Sequence, residues 1–272
     1  MMLTRCISGA ILAILAFGLM FVGGPILAVV LLLTALTAYG ELTKALKVNT
    51  TDKRFCAPEI IGLLGVVCYY MAVFWGNDTY RLMVIVGVFM AMMFYYVITF
   101  PKYRVEQIVS AVFSFLYAPV MLSFIYLTRN TEYGIYVVWL IMISSWVCDT
   151  CAYFVGVTMG KKRIFPVLSP KKSLEGCIGG IAGAAIVGGL YAYLFVRKVI
   201  DEPYIIVAVV FICAVGSVMS MVGDLAASAI KRNHEIKDYG TLIPGHGGIM
   251  DRFDSVIVTA PMIYFLCILI IF

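Results

Sequence analysis

The chain has 272 residues, is 63% hydrophobic and has a mean hydropathy of +1.02. Soluble domains are roughly 45–50% apolar, so a water-soluble fold is excluded: it would lack the polar surface to cover itself. The formal charge of +5 comes from only 13% charged residues, gathered between the apolar runs. It marks a membrane-facing or phosphate-handling surface and argues against nucleic acid as a partner.

A helical span of the hydrocarbon core takes about 20 apolar residues. Apolar runs of that kind predict nine helices, over 3–22, 25–40, 58–75, 80–100, 106–128, 133–157, 175–196, 203–230 and 254–272. Barrel strands would alternate in polarity over stretches of about ten residues, and these runs do not. The first run follows Arg5 and ends at Gly23-Gly24-Pro25. It is too long for the apolar part of a signal peptide and a second span follows closely, so it is read as a membrane helix. The expected fold is all-α, a polytopic integral membrane helical bundle of about nine transmembrane helices. Residues 1–140 hold five spans and little motif content; residues 141–272 hold the spans and loops that carry chemistry.

With the N-terminus in the cytoplasm, sixteen of the 20 Lys and Arg residues fall on the cytoplasmic side. Only Arg81, Arg129, Arg197 and Lys198 fall on the other. The positive-inside rule expects such a bias. The eight cysteines lie mostly inside apolar runs, which argues against a disulfide framework. Cys148-x-x-Cys151 has no second pair and reads as small apolar packing. The glycines of 176–189 read as a tightly packed helix face.

Two carboxylates lie where lipid is expected, Asp149 and Asp224. A charge near the bilayer centre costs about 3 kcal/mol or more, so such residues usually face a cavity and act there. For Asp149, a position near the interface, capping a neighbouring helix, is an equally open reading. Asp224, Ser228 and Lys231 fall at i, i+4 and i+7, one helix face leading to the cytoplasm. Asp149, Tyr153, Gly156 and Gly160 also share a face.

Both faces end at basic loops. The first holds Gly160-Lys161-Lys162-Arg163 and Ser169-Pro170-Lys171-Lys172-Ser173. It is not a P-loop, because the glycine spacing is one residue short and no Ser or Thr follows the lysine. Ser173 is placed to cap the next helix, whose amides would favour an anion. The second loop, Ser228 to Ser255, holds Lys231, Arg232, Lys237, Asp238, Arg252, a histidine between glycines (His246, then Gly247 and Gly248), and Asp251 and Asp254 one turn apart. Asp224, Asp251 and Asp254 suit a hard cation such as Mg²⁺, which shares its shell with phosphates and water. His246 either contacts phosphate or orders the turn.

Ser228 to Asp254 reads S-x-hydrophobic-K-R-x4-K-D-x-small-x2-hydrophobic-P-x-H-G-G-hydrophobic-x-D-R-x-D. In this the sequence resembles the phosphatidate cytidylyltransferases, or CDP-diglyceride synthases. Asp149-Thr-x-Ala-Tyr153, Ser169-Pro-Lys-Lys-Ser-x-Glu-Gly176 and Gly223-Asp224-Leu225 are similar to that family too. The specific resemblance covers the C-terminal half. It implies transfer of the cytidylyl group of CTP to phosphatidate in phospholipid biosynthesis, giving CDP-diacylglycerol and pyrophosphate. It implies a two-cation centre, Mg²⁺ with a second ion such as K⁺, for which Asp224 and Asp251 are the candidate ligands. The candidate catalytic residues are Lys231, Arg232, Lys237 and Arg252 as phosphate clamps, with Asp238, His246 and Asp254. The candidate substrate-binding residues are Ser228, Lys171, Lys172, Ser173, Asp149, Gly247 and Gly248. The resemblance also implies a homodimer; the cation bias puts the N-terminus and the active site on the cytoplasmic face, and the short chain without targeting extensions suggests the inner membrane of a bacterial cell.

Three rival readings are a CDP-alcohol phosphotransferase, a transporter and a structural scaffold, and a scaffold explains none of the Asp-Lys-His-Gly spacing. A CDP-alcohol phosphotransferase would carry D-G-x2-A-R-x8-G-x3-D-x3-D, and no such run is present. A transporter would use Asp149 and Asp224 as ion sites, but it leaves the order of the second loop unexplained and lacks paired broken helices.

Overall fold

A computed structural model describes residues 14–49, 55–166, 168–242 and 247–272. Among them, residues 14–22 are helical, and eight helices are long and apolar enough to cross a membrane. These are α1 (Gly24–Ala45), α2 (Ala57–Phe74), α3 (Asp78–Thr99), α4 (Val105–Arg129), α5 (Gly134–Met159), α6 (Leu174–Val196), α7 (Ile205–Asn233) and α8 (Met250–Ile270). The all-α polytopic membrane bundle is therefore what the chain forms. The first part of the first predicted helix, with Arg5 and Cys6, lies outside the described residues, as do Lys53 and Arg54.

Two boundaries move in a way that matters. α1 runs to Ala45, five residues past its expected end, because Leu42 and Ala45 continue the buried face beyond Glu41. α8 begins at Met250, four residues early, so Asp251 stands in its first turn.

The chain packs as two compact units, Met1–Tyr126 with His234–Arg252, and Leu127–Asn233 with Phe253–Phe272. In the first, the helix ends are closed by side chains. Glu59 accepts the Cys56 amide at 2.9 Å at the start of α2, and Asn77 accepts the Tyr80 amide at 3.1 Å at the start of α3. Such caps satisfy amides that a helix start leaves orphaned. Pro119 sits in a wide i→i+5 turn of α4, Leu116–Val120. Its carbonyl accepts the Tyr70 hydroxyl at 3.2 Å. Gln107 of α4 donates to the Val48 carbonyl after α1 at 2.8 Å.

In the second unit α6 lies directly on α5. A Cβ at Gly176 would fall 2.8 Å from the Ala152 carbonyl oxygen, and one at Gly180 would fall 2.9 Å from that of Cys148. Small residues permit this backbone approach, which is how membrane helices gain packing without a hydrophobic driving force. Cys148 and Cys151 are free thiols, packed against Gly180 and Gly183. Gly223 of α7 takes the same close position over the Asp254 carbonyl of α8.

Candidate active site

In the second unit, α5 widens into an i→i+5 turn over Ile143–Val147 and resumes as a regular helix at Cys148. Such turns recur at functional sites, and here Asp149 is the second residue after the turn. On α7, Asp224 carries an ion pair: Lys172 Nζ donates to its Oδ2 at 2.6 Å. The Lys172 side chain is 16% exposed and that of Asp224 33%, so both charges are largely withdrawn from water. Asp149 feels the charges of Asp224 and Lys172, and Asp254 feels those of Asp224, Lys231 and Asp149. Three carboxylates and two ammoniums thus share one electrostatic site. A pair of this kind is a poor source of stability, since desolvation consumes most of the Coulomb gain.

The loop between α5 and α6 holds Lys172 in place. Ser173 accepts the Gly176 amide at 3.2 Å as the expected cap of α6. Glu175 accepts the amides of Lys161 and Lys162, at 3.0 and 3.2 Å for its nearer oxygen. Arg163 donates to the Lys171 carbonyl. Gly160 abuts the Ser173 hydroxyl, where a Cβ would be 2.6 Å away. Beside this loop lies a cavity of about 170 Å³, lined by Asp149, Tyr153, Ser169, Lys171, Lys172 and Ser173 among others. Four of these six, Asp149, Lys171, Lys172 and Ser173, are candidate site residues from the sequence, and the cavity brings them together. Ser228 stands half-buried one turn beyond Asp224, with Lys231 half-buried and Arg232 exposed.

In the first unit, Asp251 is 6% exposed. Its Oδ2 accepts the Tyr239 amide at 2.8 Å and the Gly248 amide at 3.0 Å. Gly247 adopts φ +83°, a conformation that L side chains rarely enter. Lys237, Asp238 and Arg252 are exposed. His246 lies outside the described residues. One participant was missed by sequence reasoning. Glu41 of α1 accepts the Ile249 amide at 3.1 Å and the Met250 amide at 2.9 Å. Its signal was available, a carboxylate just past an apolar run, but the expected helix end at residue 40 made it read as loop.

Among the described residues, no three His, Cys, Asp or Glu side chains converge to hold one ion. Mg²⁺ does not require that: it is usually held by one or two carboxylates, with substrate phosphates and water completing its shell. The donors around Asp224 are hard oxygens, and the Lys172 ammonium already sits where Asp224 accepts positive charge. The residues present fit such an ion.

The sequence matches the model of the cytidylyltransferase family over residues 3–270. A phosphatidate cytidylyltransferase of Bacillus subtilis (strain 168) is 28% identical over 267 residues, 96% of each chain. One of Staphylococcus saprophyticus is 31% identical over 263 residues, 95% of this chain and 96% of that one. One of Thermotoga maritima is 38% identical over 154 residues, 55% of each chain.

Proposed function

The chain belongs to the cytidylyltransferase family, a family of nucleotidyltransferases, and from that premise we propose that it transfers the cytidylyl group of CTP to phosphatidate, releasing CDP-diacylglycerol and pyrophosphate. The observation that carries this reading is the Lys172–Asp224 pair with Asp149 beside it, a charged site on apolar helices next to a basic cavity. Relatives that bear the phosphatidate cytidylyltransferase name along nearly their whole length support it.

A phosphomonoester oxygen of the lipid attacks the α-phosphorus of CTP. A new P–O bond forms there, the bond to the β-phosphate oxygen breaks, and pyrophosphate leaves with the electron pair. The attacking phosphate is already ionised, so no general base is needed. Two polyanions must instead be brought together, and the work is positioning and charge neutralisation. Lys171 and Lys172 take phosphate oxygens at the cavity, with the Ser173 end of α6 favouring an anion beside them. Lys231 and Arg232 neutralise the triphosphate and the departing pyrophosphate, a role that the family resemblance extends to Lys237 and Arg252. Asp149, Asp254 and Asp224 keep the lysines oriented and charged between turnovers.

Mg²⁺ bound at Asp224 would supply charge neutralisation on the transferring phosphate. That Asp251 also ligates it rests on the sequence spacing and the family resemblance. The homodimer rests on the family resemblance, and the cytoplasmic face and bacterial cell membrane rest on the cation bias and on bacterial relatives. The reading is tested with purified protein in detergent, phosphatidate, labelled CTP and Mg²⁺. A labelled liponucleotide, absent with EDTA, is the expected product; no lipid product in active detergent–lipid conditions would overturn it.

A further inference from the structure

Glu41 stands in a place that costs energy locally. It lies near the C-terminal end of α1 (Gly24–Ala45), where the helix dipole disfavours an anion. Its compensation comes from far along the chain. Both carboxylate oxygens are taken by backbone amides at the start of α8, Oε1 by Ile249 and Oε2 by Met250. A helix start leaves its first amides without intrahelical partners and favours negative charge, so one end's liability meets the other's. Space is left for this on two sides. A Cβ at Gly240 would fall 2.7 Å from Glu41 Cδ and 3.2 Å from its Cγ. A Cβ at Gly248 would also run into the carboxylate. Two glycines and two amides of the signature segment therefore converge on one side chain from the half of the chain that carries little motif content.

We propose that Glu41 is a positioning residue for cytidylyl transfer: it fixes the backbone at which α8 begins, and so sets where Asp251 and Arg252 stand in the first turn. The inference rests on the reaction proposed above. The charge itself matters, because a glutamine of the same size offers one acceptor where two amides need one each, and turns an NH₂ group against the other amide. Glu41 touches neither substrate in this role; it acts through Asp251 and Arg252.

The test compares the wild type with Glu41→Gln, Glu41→Ala, Gly240→Ala and the double variant Glu41→Ala/Gly240→Ala. All are full-length proteins in detergent, assayed with phosphatidate and labelled CTP and followed by thermal unfolding. Losing a hydrogen bond to a charged group lowers kcat by about tenfold or more in Glu41→Gln, together with a lower unfolding midpoint. Gly240→Ala lowers kcat similarly, by pushing the carboxylate off its amides. In the double variant the added methyl meets no carboxylate, so its kcat stays within about twofold of Glu41→Ala. Wild-type kcat in Glu41→Gln overturns the proposal, as do losses that multiply in the double variant. A lowered midpoint with wild-type kcat would make Glu41 a structural residue only, which also overturns it. Should Glu41→Ala fail to fold, Glu41→Gln and Gly240→Ala decide the matter by their kcat. A wild type that makes no liponucleotide would instead refute the reaction itself.

Discussion

Lys172 and Asp224, 52 residues apart, meet through a 2.6 Å hydrogen-bonded ion pair on the α7 face that also carries Ser228 and Lys231. Neither charge is fully solvated, and Asp149 adds a second negative charge to the same lysine. Asp224 thus sits among charged groups of both signs.

Asp224→Asn is expected to abolish turnover while leaving the protein folded and inserted. Losing the carboxylate that holds the neutralising cations at a reacting phosphate costs about 10²–10³ in kcat at least. Lys172→Met should fall in the same range, and the two losses should not multiply, because each variant breaks the same pair. Steady-state kinetics on the two single variants and the double variant checks this. Near-normal turnover in Asp224→Asn would remove it from the site.

Asp251→Asn separates charge from shape. The asparagine oxygen can still accept the amides of Tyr239 and Gly248 that Asp251 Oδ2 now holds. The unfolding midpoint should therefore stay close to that of the wild type while turnover is lost. Asp251→Ala should lose both, at about 1–3 kcal/mol for the orphaned buried amides. Thermal unfolding alongside the assay distinguishes the two variants.

Gly180→Val should loosen the α5–α6 contact that aligns Asp149 with the loop of Lys172. Its Cβ would lie 2.9 Å from the Cys148 carbonyl oxygen and 3.0 Å from the Cys148 sulfur. Overpacking of this kind costs about 1–3 kcal/mol, read as a lower unfolding midpoint in detergent.

Chelation should stop the reaction reversibly. EDTA is expected to abolish liponucleotide formation, and Mg²⁺ in excess to restore it, since the proposed ion is held by a carboxylate and by substrate phosphates. Turnover unaffected by EDTA would contradict the metal assignment at Asp224 while leaving the reaction standing.

Much of this was legible because lipid writes itself into sequence as runs of apolar residues, and a carboxylate inside such a run is conspicuous. Asp149, Asp224 and the cavity residues Lys171, Lys172 and Ser173 were found that way or by their spacing. What hydropathy hides is the polar last turn of a helix. The end of α1 at Glu41 and Lys44, and the start of α8 at Asp251 and Arg252, both read as loop although their buried faces continue. Pairings across long separations leave no local trace either. Lys172 was assigned to phosphate alone because nothing near it in sequence points to Asp224. Glu41 was passed over because its partners lie 208 and 209 residues away.

The most direct measurement follows the phosphates of CTP separately. Purified protein is given phosphatidate with CTP labelled at either the α- or the γ-phosphate. Label from the α-phosphate is expected in the lipid product and label from the γ-phosphate in free pyrophosphate, in equal amounts. Label from the γ-phosphate in the lipid, or no transfer to lipid from either position, would contradict cytidylyl transfer to phosphatidate.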